Sequence, residues 1–280
     1  MSPRVAIREA ATVMLLRDDP DLHVFMLRRN PRSVFSPGAY VFPGGAVDIA
    51  DADAAVYARA RGIDDVRASA LVGVAAHGLR YWIAAARESF EEAGFVLGTA
   101  APGFIETRDA LNAGALSWEH ALAAHDGLLH LDELAVFAHW LTPEGAPRRY
   151  DTWFFVAAAP DDQEGEHDDA EAVHSEWLRP DDALRRCRDG AIELIVPTIY
   201  SLRAIARFSR SADLLDVVHG GQVTAPPDVV LEGSGQRVWL PGDDTRAVHC
   251  GWPPIDARLD VDMEFERAFL AGETPDRGVA

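Results

Sequence analysis

The stretch Arg87-Glu88-Ser89-Phe90-Glu91-Glu92-Ala93-Gly94-Phe95 decides how this chain is read. On a helix, residues three and four apart share a face, so Glu88, Glu91 and Glu92 bring three carboxylates together. Like charges that close are unfavourable unless something compensates them. Hard divalent cations do so, and magnesium takes carboxylates, waters and substrate phosphates as ligands. Arg87 adds a planar guanidinium able to orient a carboxylate. Gly94 stands where a helix end takes a glycine. Taken alone, the segment also reads as a solvated acidic helix face, and the loop upstream decides between the two.

That loop is Phe42-Pro43-Gly44-Gly45, which follows a strand pattern, with Asp48 and Asp51 just beyond it. Glycines let backbone come close to backbone or ligand. Loop and helix together resemble the Nudix box, G-x5-E-x7-R-E-U-x-E-E-x-G-U, where U is a bulky aliphatic residue. Residues 87–95 fit its second half, with Ser89 at the first U, while Gly45 and Asp51 fit the first half, with aspartate in place of glutamate. Between Asp51 and Arg87 lie 35 residues where the box has seven, so an insertion of 28 divides loop from helix. This interrupted box is similar to that of the Nudix hydrolases of the mammalian peroxisomal coenzyme A diphosphatase subfamily. Residues 27–32 (LRRNPR), 37–48 (PGAYVFPGGAVD), 149–155 (RYDTWFF) and 193–198 (ELIVPT) look similar to the same subfamily.

The resemblance implies an α/β (α+β) fold: a Nudix α/β/α sandwich with a mixed sheet. It implies a Nudix domain over 1–212, a helical insertion at about 52–79 and a C-terminal extension over 213–280. It implies hydrolysis of a diphosphate linkage with Mg2+ or Mn2+. Glu88, Glu91 and Glu92 match the metal-binding glutamates, Arg87 matches the arginine that orients them, and the Gly45 carbonyl is a further metal ligand. Clustered cations would neutralise the phosphate oxygens and activate water. The candidates for the general base are Glu171 and Glu176, at the strand ending near Trp177. Arg29, Gly38 and Phe42 to Gly45 keep the register of a bacterial coenzyme A pattern. The dense basic cluster Arg28, Arg29 and Arg32 suits the 3′-phosphate of that substrate, since arginine forks bind phosphate bidentately. Coenzyme A or acyl-CoA is thus the favoured substrate. ADP-ribose, NADH or dinucleoside polyphosphates stand as the alternative, and a non-catalytic nucleotide sensor is a third expectation.

Composition narrows the rest. The 280 residues carry 45 acids and 26 basic residues, all arginine, for a formal charge of −19. Without lysine there is no Schiff-base or Walker A chemistry. Such acidity argues against non-specific nucleic-acid binding. No apolar run approaches the roughly 18 residues of a membrane span. The N-terminus reads as a strand, not a signal peptide. Two cysteines, Cys187 and Cys250, suit neither a disulfide framework nor a cysteine-based zinc site. The expected setting is cytoplasmic, the partner a small-molecule nucleotide, and a homodimer the candidate assembly.

The pattern along the chain predicts strands at 5–16, 22–29, 134–142, 148–158 and 171–178, with 31–45 as loop. Helical composition covers 67–93, broken near His77–Gly78. Further helices are expected at 106–113, 117–126, 180–188 and 197–209, and a β-rich tail from about 213. His77 is expected in a structural or solvent role, His139 and His174 are lone histidines without metal-ligand spacing, and Trp153 to Phe155 read mostly as core, with one ring able to stack on a base.

Overall fold

The apolar strand runs at both ends of the Nudix-like region meet in one mixed sheet. A computed structural model describes residues 5–33, 36–142, 148–219 and the backbone of 228–229. Its principal strands are β1 (Ile7–Asp18), β2 (Leu22–Arg29), β3 (Tyr40–Val41), β4 (Gly44–Ala46), β5 (Ala135–Leu141), β6 (Arg149–Ala158) and β7 (Ala172–Leu178). They lie in the order β7-β2-β1-β6-β5, with β3 paired to β2 and β4 to β1. The long β1–β6 pair is parallel and the neighbouring pairs are antiparallel. The backbone of Asp228–Val229 adds a short parallel strand beside β5.

Both faces of this sheet are covered, which is why its strands read as nearly unbroken apolar runs. Side chains alternate between the faces. On β1, Ala11, Val13 and Leu15 enter one core, and Met14 and Leu16 enter the other. On β2, Phe25 and Leu27 oppose Val24 and Met26 in the same way, and on β6 Trp153 and Phe155 oppose Phe154 and Val156.

Helices α1 (Asp65–Val72) and α2 (Leu79–Ala93) cover the first core, with Trp82, Ile83 and Phe90 fully buried. The second lies under α3 (Pro180–Arg188), α4 (Val196–Ile205) and α5 (Ser211–His219), through Leu184, Leu202, Ile205 and Leu214. The α/β/α sandwich is as expected.

The expected break at His77–Gly78 has a clear cause. Gly73 closes α1 in the left-handed conformation at φ 70. The Asp65 carboxylate then accepts the backbone N–H of His77 (2.9 Å) and of Leu79 (3.0 Å), satisfying donors at the start of α2. Gly78 packs so tightly on α1 that an added Cβ would lie 2.4 Å from the Ser69 backbone. His77 thus has a backbone role.

Three expectations need correction. The 31–45 segment is not all loop, because Tyr40–Val41 and Gly44–Ala46 add to the main sheet. A second small sheet joins Ala60–Arg61, Leu128–His130 and Gly98–Thr99, so the insertion is not wholly helical. The described start of the tail is helix α5, not strand, and it spans the boundary expected at 212, with Leu214 and Val218 buried in the second core. Apart from the Asp228–Val229 backbone, the remainder of the expected extension lies outside the described residues.

Candidate active site

Helix α2 lies along β1 and β4, and this packing sets the glutamates against the glycine loop. Gly45 has no side chain, and a Cβ there would meet the Glu88 carboxylate at 2.6 Å. Gly44 donates its backbone N–H to Glu92 Oε2 at 2.8 Å. The two glycines of the loop therefore sit directly on two of the three helix glutamates.

Arg87 ties the cluster together. Its side chain is only 8% exposed. Nε and Nη2 donate to the two Asp51 oxygens at 2.9 and 3.0 Å. Nη1 donates to Glu88 (2.9 Å) and Glu91 (2.7 Å), and Nη2 also reaches the Ala46 carbonyl at 2.9 Å. Asp51 was absent from the sequence candidates, because the long insertion begins just after it. Yet it is almost fully buried and makes a bidentate pair with Arg87. The signal was available: Asp51 follows Gly45 at the box spacing. Asp48 lies 3.9 Å from the same guanidinium.

Four carboxylates thus surround one guanidinium. Burial opposes the Arg87 charge, but the Asp51 bonds and the nearby Glu88 and Glu91 outweigh it and raise its pKa further. Burial pushes Glu88 up to about 7, aided by Glu91 and Glu171 and opposed by Arg87. Glu92 is raised well above the usual carboxylate range, first by burial and then by Glu88, while the Gly44 N–H and Arg29 pull the other way. Burial also raises Glu91.

Among the described residues, no three His, Cys, Asp or Glu side chains form a ready-made metal cage. The reason is local, since Glu91 turns to Arg87 and Glu92 to the Gly44 N–H. A magnesium ion does not need such a cage, because one or two protein carboxylates suffice beside waters and substrate phosphates. Glu88, pressed against the Gly45 backbone, and Glu92 beside it form a hard-oxygen donor set of that kind.

A cleft of about 880 Å³ opens onto the Gly44–Gly45 loop. Arg29, Arg32 and Glu171 line one part of it, and Arg8, Arg148, Tyr150 and Trp140 another. Glu171 is the candidate base that the structure brings near the cluster, and its charge bears on Glu88 and Glu92. Its loop is fixed by the Asn30 N–H donating to the Glu171 carbonyl at 2.8 Å.

Two sequence candidates are placed elsewhere. Glu176 accepts two hydrogen bonds from Arg186, at 2.9 and 3.1 Å, and does not line the cleft. Burial pushes its carboxyl up, but the bonds from Arg186 and Tyr40 prevail and hold it below its usual value. It is a structural ion-pair partner. Arg28 is likewise corrected. It continues the Val24–Met26 face of β2, whereas Arg29 continues the Phe25–Leu27 face, so the strand's alternation splits the basic cluster. Arg28 is exposed and outside the cleft. His139 hydrogen-bonds Asp151 and stacks on Trp153 at 4.2 Å, contacts within the fold.

A glycine loop packed on helix carboxylates within an α/β/α sandwich defines a Nudix hydrolase. The chain matches the NUDT19 Nudix domain over residues 7–205 and belongs to that family. It is 28% identical over 268 residues to the acyl-coenzyme A diphosphatase NUDT19 of Homo sapiens, covering 79% of this chain and 71% of that protein. The Gallus gallus protein of the same name is 30% identical over 312 residues, covering 87% and 81%. A crystal structure of a NUDIX hydrolase from Alicyclobacillus acidocaldarius superposes with a TM-score of 0.64 at 27% identity, covering 76% of this chain and 96% of that one.

Proposed function

We propose that this protein hydrolyses the diphosphate of coenzyme A or acyl-CoA, releasing 3′,5′-ADP and 4′-phosphopantetheine or its acyl form. The observation that carries this is the cleft: four arginines and a single acid line it, in a chain of charge −19. A locally reversed charge beside a carboxylate cluster suits a substrate with several phosphates. The relatives named acyl-coenzyme A diphosphatases support the choice of substrate.

Glu88 and Glu92 would hold Mg2+ or Mn2+, with Glu91 and the Gly45 carbonyl as the remaining candidate ligands. Bound there, the cation would neutralise the diphosphate oxygens and lower the pKa of a water. Arg87 keeps Glu88 and Glu91 in position. Arg29, near Glu92, binds the diphosphate. Glu171 takes the proton as the water oxygen attacks phosphorus and the bond to the bridging oxygen breaks. The product phosphates leave with that proton balance restored by solvent.

Two cysteines fit a reducing, cytoplasmic setting, and a homodimer is the candidate assembly. No helix among the described residues is long and apolar enough to cross a membrane. The test is turnover of a panel with magnesium: coenzyme A, an acyl-CoA, ADP-ribose, NADH and a dinucleoside polyphosphate. Coenzyme A or its acyl form should give the highest kcat/KM. Brisk cleavage of ADP-ribose or NADH without cleavage of coenzyme A would overturn the assignment. Absence of turnover on every member would instead favour a nucleotide-sensing role.

A further inference from the structure

The cleft has two unlike sides about the Gly44–Gly45 loop. Arg29, Arg32 and Glu171 belong to the β2 and β7 side of the sheet, and the other side is built from β1, β6 and β5. There Arg8 and Tyr150 are in-register neighbours of the parallel β1–β6 pair, and Arg148 comes two residues before Tyr150. Trp140 closes the same side from β5.

Neither Arg8 nor Arg148 makes an ion pair or side-chain hydrogen bond among the described residues. Both are exposed in the cleft wall, and in a chain with 45 acids against 26 arginines they form a local positive patch that attracts an anion. The partly exposed Tyr150 ring beside them adds a surface for a flat ligand group, while Trp140, packed on Phe154 and Tyr200, supports the wall from behind. A phosphate and a base together satisfy both features. An acyl or pantetheine chain does not, since it carries neither a negative charge for the guanidinium groups nor a flat ring for the tyrosine.

The spacing agrees. Ala11 pairs with Gly45, and Arg8 lies three residues back along an extended strand, about 10 Å away. The 3′-phosphate and the diphosphate of coenzyme A are attached to one ribose, so a single sugar separates them. We propose that Arg8 and Arg148 bind the 3′-phosphate of the nucleotide half, with Tyr150 beside the adenine. The pantetheine arm then leaves past Arg29 and Arg32. This rests on the coenzyme A assignment above and adds the direction in which the substrate lies.

The test compares coenzyme A with dephospho-coenzyme A, which lacks only the 3′-phosphate, in the full chain and in Arg8→Ala, Arg148→Ala and Arg29→Ala. The parent should prefer coenzyme A in kcat/KM by about tenfold or more, the value of a charge-assisted contact. That ratio should fall towards one in Arg8→Ala and Arg148→Ala. Arg29→Ala should lower both substrates alike and keep the ratio. A ratio that survives loss of Arg8 and Arg148, or that collapses only in Arg29→Ala, overturns the proposal. A binding measurement separates this from failure of the proposed reaction: 3′,5′-ADP should bind more tightly than 5′-AMP, and Arg8→Ala should erase the difference. Equal binding of the two nucleotides by the parent rejects the subsite whatever the enzyme cleaves. A difference that depends on Arg8 upholds it even if coenzyme A is not turned over.

Discussion

Asp51→Asn is the substitution that most fully probes the clamp on Arg87. The carboxylate is 1% exposed and accepts from Nε and Nη2 at 2.9 and 3.0 Å. Asparagine has nearly the same shape but no charge, and its amide group presents N–H to a guanidinium that can only donate. Removing one partner of a buried pair costs about 3–5 kcal/mol. Arg87 keeps Glu88, Glu91 and the Ala46 carbonyl, so the loss should fall near the lower end, about 3 kcal/mol. For a chain of this size that lowers Tm by about 6–12 °C, at about 2–4 °C per kcal/mol. The assay is thermal and urea unfolding, paired with kcat on coenzyme A. Activity should fall as well, because the released guanidinium no longer fixes Glu88 and Glu91. Asp51→Glu keeps the charge but forces a methylene into a filled site, with an expected cost of about 1–3 kcal/mol. An Asp51→Asn protein within about 2 °C of the parent and fully active would refute the clamp.

Other outcomes follow from neighbouring contacts. Gly45→Ala should cut kcat strongly, since its Cβ would occupy the space of the Glu88 carboxylate, and steady-state kinetics would reveal it. Glu92→Gln should lower kcat by orders of magnitude while circular dichroism shows a folded protein, because the charge proposed to hold the metal is lost but the Gly44 hydrogen bond can persist. Burial pushes Asp65 up, yet the Leu79 and His77 N–H groups prevail and hold it below its usual pKa. A depressed pKa contributes stability at neutral pH that is lost as pH falls through the folded value. Asp65→Asn should therefore cost about 1–2 kcal/mol at neutral pH, and urea titrations should show its gap to the parent closing as the medium turns acid.

Much of the sheet was legible because both its faces are buried. Apolar runs such as 24–27 and 153–158 mark strands without needing a polar face to set the period. The helix with Glu88, Glu91 and Glu92 was legible from its spacing and its glycine stop, and Gly94 does adopt the left-handed conformation at φ 75. The short strands were not, since two residues such as Ala60–Arg61 carry no periodicity and form only by pairing with Leu129 and His130. Helix α5 was hidden for a different reason: its pattern is brief, and its order comes from burying Leu214 and Val218 against the second core. In the site, sequence adjacency misled. Arg28 and Arg29 are neighbours in the chain but opposites across the sheet. Arg8 and Tyr150, far apart in sequence, become neighbours only through the β1–β6 register. Asp51 looked detached because 35 residues follow it before Arg87, yet the insertion closes on itself and returns the helix to the loop.

The most direct test of the central claim is hydrolysis of coenzyme A in 18O-labelled water with magnesium, read by mass spectrometry of the products. The account predicts 3′,5′-ADP and 4′-phosphopantetheine in equal amounts, with one 18O in a phosphate of one product. The Glu92→Gln protein should give neither. Intact coenzyme A, or conversion to dephospho-coenzyme A and labelled inorganic phosphate, would contradict it.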